Sequence, residues 1–261
     1  MLERFRAAKA AEVAFLEKLA ASERLPPPFV GPRPSFSASL RVKAPLAVIA
    51  EYKRASPSKG DINLTVEPEE AAGAYAMAGA GALSVLTEEA HFRGNLAYLD
   101  RMADPGLPLL RKDFILHPLQ VDQTAATPAS ALLLIVRMLD TPLLRDLILR
   151  SQEAGLEAVV EIFDEQDLLR ARDAGASIIQ VNNRDLNSLH VNLAASRVLV
   201  SQKKPKEFWI TASGIATHND LASLLGLGFD AALVGSSLMS SGDPGGALAA
   251  LLSPTQEFAH A

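Results

Sequence analysis

Charged side chains follow the end of a short apolar run near the start of this sequence. In VIAEYKRASPSKG, residues 48–60, the apolar residues lead directly into Glu51, Lys53 and Arg54. Lysine and arginine attract anionic small molecules, and a carboxylate among them is suited to proton transfer. The segment therefore indicates acid–base chemistry on an anionic substrate, provided that similar side chains gather beside it.

Later apolar runs end in the same way. The side chains at their ends are Arg111, Lys112, Asp113, Glu161, Asn182, Asn183, Arg184, Thr211 and Ser213, followed by the turn Gly235-Ser236-Ser237. At any one strand end, charge is adequately explained by the chain meeting water, because such residues are mostly exposed. Repetition at several ends favours one shared site with a cationic rim of Lys53, Lys112 and Arg184. Glu51 and Glu161 would lie within that rim as proton-transfer groups.

Two glycine–serine turns follow the last two runs, at SGI (213–215) and GSS (235–237). Backbone N–H groups of such turns, and the start of a short helix after them, bind phosphate in many barrel enzymes. Ordinary turn chemistry explains either turn alone equally well. Their position after both of the last two runs favours a phosphorylated substrate.

The elements that position these residues repeat along the chain. Short apolar runs alternate with alanine- and leucine-rich helical stretches, and the runs are 46–53, 82–87, 107–114, 131–136, 157–163, 177–183, 207–214 and 231–237. Runs that are apolar throughout suit strands buried on both faces, and the intervening helices suit parallel crossovers. Eight such units predict a (β/α)8 TIM barrel, because a doubly wound sheet uses fewer strands in a shorter chain. All strand ends of a barrel meet at one mouth.

The first 45 residues differ from the rest of the chain. Residues 1–22 predict a helix, and the prolines of 25–35 predict an irregular connector because proline removes a backbone donor. We therefore expect a single domain over 1–261. Its amino-terminal helical extension and connector would occupy 1–45 and its barrel 46–261.

Composition excludes several other classes of function. With 49% hydrophobic residues among 261, the chain can bury a large core, and its net charge of −5 argues against nucleic-acid binding. The absence of cysteine excludes disulfides and thiolate catalysis. The amino terminus lacks the apolar core of a signal peptide. No segment is apolar for long enough to span a membrane. The histidines lack the spacing of metal ligands. We expect a cytoplasmic protein with no metal and no nucleic-acid or membrane partner.

Six motifs resemble indole-3-glycerol phosphate synthase in order and spacing. They are AEYKRASPSKG (50–60), LLRKDFI (109–115), VVEIFDE (159–165), VNNRDL (181–186), ASGI (212–215) and VGSSLMSSGDP (234–244). The resemblance implies a barrel with an amino-terminal helical segment that works without a cofactor. Its phosphorylated substrate would be 1-(2-carboxyphenylamino)-1-deoxyribulose 5-phosphate. The enzyme would close this substrate to an indole ring with loss of CO₂ and water. The resemblance leaves open an association with other tryptophan-pathway enzymes.

The same resemblance implies a role for each candidate residue. Lys112 would be the general acid and Glu161 the general base. Lys53 would hold the substrate carboxylate and share the acid role, while Glu51 would orient the lysine and the leaving hydroxyl. Asn182, counted with the catalytic set, and the substrate-binding Arg184 would both contact the substrate and organise the charge network. The remaining substrate and phosphate contacts implied are Ser56, Ser213, Gly214, Gly235 and Ser236.

Two further expectations concern the walls of the site, and a third concerns a helix with no obvious part in catalysis. Phe92 and Phe114 either enclose the aromatic ring of the substrate or are plain core. The loop 55–60, rich in serine, proline and glycine, is expected to close over the ligand and exclude water. Pro128 should end the preceding helix early.

One residue departs from the family pattern. The family usually reads ESGI after the seventh strand, whereas this chain has Ala212. The missing carboxylate keeps a second hypothesis open, a catalytically impaired sugar-phosphate-binding barrel. A third is phosphoribosylanthranilate isomerase, which typically depends on a Cys/Asp pair and is disfavoured here because cysteine is absent.

Overall fold

The computed structural model describes residues 2–45, 47–185 and 190–254, except for the side chains of Ala194 and Ala195. Leu46, which starts the first predicted strand, and Leu186, which ends the VNNRDL motif, lie outside the described residues, as do Met1 and the carboxyl-terminal part of the predicted barrel range. In chain order the strands are β1 (Val48–Tyr52), β2 (Ala55–Ser56), β3 (Gly60–Asp61), β4 (Ala82–Leu86), β5 (Leu109–Lys112), β6 (Ala131–Ile135), β7 (Glu157–Ile162), β8 (Ile178–Asn182), β9 (Phe208–Ala212) and β10 (Ala231–Val234).

Eight of these strands form a closed parallel barrel in the order β1-β10-β9-β8-β7-β6-β5-β4. Each contains the centre of one predicted run, so the predicted (β/α)8 TIM barrel is confirmed. The short strands β2 and β3 form a separate antiparallel hairpin directly after β1.

Helices connect and surround the strands. They are α1 (Leu2–Ala21), α2 (Phe36–Val42), α3 (Pro68–Met77), α4 (Glu89–Phe92), α5 (Tyr98–Arg101), α6 (Pro118–Ala125), α7 (Thr141–Glu153), α8 (Glu165–Asp173), α9 (Ala194–Leu199), α10 (His218–Gly226), α11 (Ser236–Met239) and α12 (Pro244–Leu252), with 3₁₀ turns at Val136–Met138 and Val200–Gln202. Among the described residues, no helix is long and apolar enough to cross a membrane.

Alternating side chains of each strand face two different cores. One set packs outward beneath the surrounding helices, as Tyr52 and Trp209 do. The other set fills the barrel interior, as Ile49 and Leu133 do. This two-residue alternation follows from strand geometry, and it decides which strand-end residues reach the mouth.

The two amino-terminal helices contact different parts of the barrel. Phe36 and Leu40 of α2 are fully buried in the interior cluster, together with Phe208. Glu157, the first residue of β7, accepts hydrogen bonds from Ser35 Oγ and from the first backbone N–H groups of α2. Phe5 of α1 belongs to the same interior cluster as Phe114, which follows β5 at the mouth.

The connector between α1 and α2 lies against the carboxyl end of α6. Within the described residues 22–35 the chain forms neither helix nor strand, as its prolines predict. Arg33 donates to the carbonyl oxygens of Ala125 and Thr127, which a helix end leaves without intrahelical partners. Because α6 ends at Ala125, the early stop predicted before Pro128 is also confirmed.

Candidate active site

A cleft of about 1110 Å³, measured out to its open mouth, lies at the carboxyl ends of the strands. Every predicted site residue contributes to its wall: Glu51, Lys53, Ser56, Phe92, Lys112, Phe114, Glu161, Asn182, Arg184, Ser213, Gly214, Gly235 and Ser236. The roles of these residues remain predictions, but the fold brings all of them to one place.

Glu51 lies between the two lysines of the site. Its Oε1 accepts a hydrogen bond from Lys53 Nζ at 2.7 Å, and its Oε2 lies 3.9 Å from Lys112 Nζ. Ser84 Oγ donates to the same Oε2 at 3.2 Å. Burial alone would raise the pKa of the Glu51 carboxyl, but the charges of Lys53 and Lys112 outweigh it and lower that pKa. Glu51 is therefore an ionised carboxylate shared by two ammonium groups.

Strand alternation explains why Lys53 reaches the cleft while its neighbours do not. Lys53 lies two residues after Glu51 and projects to the same side. The Tyr52 hydroxyl instead donates to the Val66 carbonyl, and the Arg54 guanidinium donates to the Tyr98 hydroxyl. One strand end therefore supplies a carboxylate–lysine pair to the cleft and anchors the surrounding elements with its other face.

A carboxylate on β7 forms a second reactive position. Glu161 is only 2% exposed, and its Oε2 accepts a hydrogen bond from Gln180 Nε2 at 2.6 Å. On the neighbouring strand, Asn182 Oδ1 accepts from Ser213 Oγ at 2.9 Å and from the backbone N–H of Arg184 at 3.0 Å. The cleft therefore contains a buried carboxylate separate from the Glu51–lysine cluster.

The glycines of the two glycine–serine turns lie where a side chain would collide with neighbouring atoms. Gly214 has φ +85°, and a Cβ there would lie 2.6 Å from Val191 Cγ1. A Cβ on Gly235 would lie 2.5 Å from Glu51 Oε1. Helix α11 begins at Ser236, so its first backbone N–H groups, which have no intrahelical partner, lie at the cleft wall. These turns can offer N–H donors to an anionic group.

Aromatic rings form the opposite side of the cleft. The Phe114 ring stacks on the Phe5 ring with centroids 4.2 Å apart and planes 14° apart, and the Phe92 ring lies 6.2 Å from that of Phe114. Phe5 comes from α1 and was missed as a site residue by sequence reasoning. The imperfect apolar stripe of α1 gave no signal that one of its residues reaches the barrel mouth.

A buried ionic network attaches α1 beside Lys112. Asp113 accepts hydrogen bonds from Thr87 Oγ1 and Arg111 Nη2 through Oδ2, and its Oδ1 lies 2.6 Å from Lys9 Nζ. Burial would raise the pKa of Asp113, but the neighbouring cations Arg111 and Lys9 lower it. Glu12 continues the network by accepting from both Lys9 and Arg111.

Three of the strand-end residues do not line the cleft. The Arg111 guanidinium is buried in the network just described, against Gln123 and Thr124 of α6. Asn183 Nδ2 donates to Thr211 Oγ1 at 3.1 Å, so these two side chains bond to each other. The expectation that whole strand ends converge on the rim was too broad, because adjacent residues point to opposite faces.

Ala212 ends β9 at the cleft wall. It is 3% exposed and pairs in register with Asn182 and with Leu233 on the strands to either side. The methyl group leaves this part of the wall apolar. The hairpin β2–β3 contributes Ser56, Pro57 and Ser58 to the rim of the cleft, where loop closure remains a prediction.

Comparison with known proteins identifies close relatives along nearly the whole chain. A family model described as indole-3-glycerol phosphate synthase matches residues 2–251. The protein of that name from Roseiflexus sp. (strain RS-1) is 44% identical over 235 aligned positions, and the alignment covers 86% of this chain and 85% of the relative. Its namesake from Mycolicibacterium gilvum (strain PYR-GCK) is 41% identical over 247 residues, 94% of this chain and 89% of the relative.

Solved structures resemble this chain in fold alone. The N-acetylmannosamine-6-phosphate 2-epimerase from Clostridium perfringens superposes with a TM-score of 0.61 at 15% identity, covering 80% of this chain and 93% of the other. The thiamine phosphate pyrophosphorylase from Pyrococcus furiosus gives a TM-score of 0.59 at 18% identity, with 81% and 95% covered. At such low identity these likenesses support the architecture and carry no inference about substrate.

Proposed function

Because the chain belongs to the indole-3-glycerol phosphate synthase family, we propose that it acts as a carboxy-lyase on 1-(2-carboxyphenylamino)-1-deoxyribulose 5-phosphate. It closes the indole ring and releases CO₂ and water. The observation that carries the proposal is Glu51, an ionised carboxylate placed between Lys53 and Lys112 in the same cleft as the separate base Glu161.

Lys112 is the group suited to the first chemical step. The ring carbon that bears the carboxylate attacks the ketone carbon, and the electron pair of the C=O π bond moves to oxygen. An ammonium group beside that oxygen supplies the proton and stabilises the developing charge. Lys53 binds the substrate carboxylate until the C–CO₂ bond breaks, and the electron pair of that bond restores the aromatic ring.

Glu161 is the group suited to the final dehydration. The hydroxyl formed in the first step leaves as water after taking a proton from a lysine, while a proton is lost from the substrate to a carboxylate base. Glu161 lines the cleft with one oxygen held by Gln180. Glu51 keeps both ammonium groups in place for the acid steps.

The two ends of the substrate match the two sides of the cleft. The anthranilate ring fits beside Phe92 and Phe114, where apolar surface is available. The phosphate fits the turns at Gly214 and at Gly235-Ser236, where backbone N–H groups and serine hydroxyls can donate hydrogen bonds. No cofactor is required by this chemistry.

We place this activity in the cytoplasm as part of the proposal, and fractionation of cells that produce the full chain tests it. Association with other enzymes of the tryptophan pathway also belongs to the proposal, and co-purification of the full chain with those enzymes tests it.

Incubation of the purified protein with the carboxyphenylamino substrate tests the activity. The fluorescence of the indole product should rise with time and in proportion to protein concentration. The relationship to the synthase family does not favour the impaired barrel or the isomerase. Binding of the substrate without product formation would contradict the proposal and revive the impaired barrel.

A further inference from the structure

Glu161 depends on one side chain that the proposed mechanism has not used. We propose that Gln180 is a positioning residue, which holds one oxygen of the Glu161 carboxylate so that its second oxygen accepts the substrate proton. This role deepens the proposed synthase function and rests on it.

Gln180 lies inside the barrel beside the base. It occupies the middle of β8, is fully buried, and pairs in register with Glu161 on β7. Its Nε2 donates to Glu161 Oε2 at 2.6 Å. In the described parts of the chain, no other hydrogen bond or ion pair joins the Glu161 carboxylate. One oxygen of the base is therefore held by Gln180, and Oε1 is left for the substrate.

The direction of this hydrogen bond matters for the chemistry. An N–H donor favours the charged form of a carboxyl group, whereas a facing carbonyl oxygen would favour the protonated form. A general base must be ionised before it accepts a proton. The amide N–H of Gln180 therefore faces Glu161 as the kind of partner that suits a general base.

Packing alone does not account for a glutamine at this position. Its neighbours along β8 and its partner on β9, namely Ile178, Ile179, Val181 and Ile210, are apolar. Gln180 Oε1 is buried and has no hydrogen-bond partner among the described residues. Such an unpaired oxygen is costly, and an apolar residue would avoid it. The donor to Glu161 is the feature that an apolar residue could not supply.

Gln180→Met tests the proposal because methionine has a similar length and lacks the donor. Removing a hydrogen bond to a charged group should lower kcat by about tenfold or more. KM should change less than about threefold, since Gln180 does not line the cleft. The acidic limb of the pH–kcat profile should move to higher pH, because the base loses the group that favours its ionised form.

Ser151→Ala is the matched control. Ser151 is fully buried on α7, where its hydroxyl donates to the Leu147 carbonyl at 2.7 Å. This variant also removes a buried hydrogen bond, and its pH profile should match that of the original chain. An unshifted acidic limb in Gln180→Met would overturn the positioning role.

A second measurement separates this inference from the proposed function. The carboxyl ¹³C signal of Glu161, assigned by its loss in Glu161→Gln, can be titrated in the original chain and in Gln180→Met without any substrate. A higher midpoint in the methionine variant is expected, and equal midpoints would overturn the inference even if the enzyme turns over. Absence of product with the original chain would overturn the synthase proposal, while the titration would still decide the role of Gln180.

Discussion

Lys9 of α1 and Asp113 at the end of β5 form an ion pair of 2.6 Å in which both side chains are buried. Asp113 directly follows Lys112, and its Oδ1 also accepts the backbone N–H of Phe114 at 2.8 Å. The amino-terminal helix is therefore joined to the segment that carries the proposed acid and part of the aromatic wall. We therefore expect folding of the extension and the geometry of the active site to be coupled through this pair.

Lys9→Met should lower the free energy of unfolding by about 3 kcal/mol, because removal of one partner leaves the buried charge of Asp113 less compensated. Urea denaturation at pH 7 measures the change. Lys18→Met is the control, since Lys18 lies exposed on the same helix and its replacement should change stability by less than about 0.5 kcal/mol. Similar stabilities of the two variants would contradict the coupling.

The lowered pKa of Asp113 predicts acid sensitivity. Burial would raise that pKa, but Arg111 and Lys9 outweigh it in the folded chain. A carboxyl whose pKa is lower when folded stabilises the protein above its unfolded pKa, about 3.9 for aspartate. That contribution is lost as pH falls through the folded value. The free energy of unfolding, measured in urea, should therefore decrease below about pH 4.

Asp113→Asn should remove part of this acid-dependent loss, since asparagine does not titrate. Asp104→Asn is the control, because Asp104 is exposed, and it should keep the pH dependence of the original chain. A full acid-dependent loss in Asp113→Asn would show that other groups cause it.

The barrel could be predicted from the sequence because its signal is repeated and local. Each strand is a short apolar run of its own, and errors at one edge do not affect the number of units. The site is harder to predict, because its residues come together only when the strands pair in the correct register. Arg111 and Lys112 are adjacent and were placed together at a strand end, but only the register of β5 in the barrel decides that Lys112 reaches the cleft.

Residues that reach the site from outside the strand ends were not predictable in this way. Phe5 contacts Phe114 from a helix at the far end of the sequence, so no spacing pattern joins them. Gln180 did carry a signal, since it is a polar residue between apolar Ile179 and Val181 in the middle of the run SIIQVNN. A lone polar residue inside a strand buried on both faces needs a partner, and that partner is Glu161.

Phe5→Leu should raise the KM for the substrate by about threefold to tenfold, because an aromatic pair is worth roughly 0.5–1.5 kcal/mol beyond its buried area. The smaller side chain should leave kcat nearly unchanged, since Phe5 carries no proton-transfer group. Steady-state kinetics followed by indole fluorescence measure both constants. Phe15→Leu is the matched control, because Phe15 lies on the same helix and is 59% exposed. An equal rise of KM in that variant would contradict a role for the Phe5 ring.

Ala212→Glu should raise kcat, because it restores a carboxylate beside Asn182 at the cleft wall, where the family usually has one. We expect an increase of about threefold to tenfold, the size of a single polar interaction gained in the transition state. Ala212→Gln has nearly the same shape without the charge and serves as the control. A lower kcat in the glutamate variant would mean that the chain has adapted to the smaller residue.

Lys112→Ala should lower kcat by about a hundredfold or more, because general acid catalysis contributes about 10²–10⁴-fold. Substrate affinity should change much less, because Lys53 remains in the cleft to attract the anion. Lys112→Arg separates charge from proton donation. Arginine keeps the positive charge but gives up a proton far less readily than lysine, so this variant should bind the substrate and still turn over slowly. Calorimetric binding and single-turnover fluorescence measure the two effects, and turnover like that of the original chain in the arginine variant would refute the assignment of Lys112 as the acid.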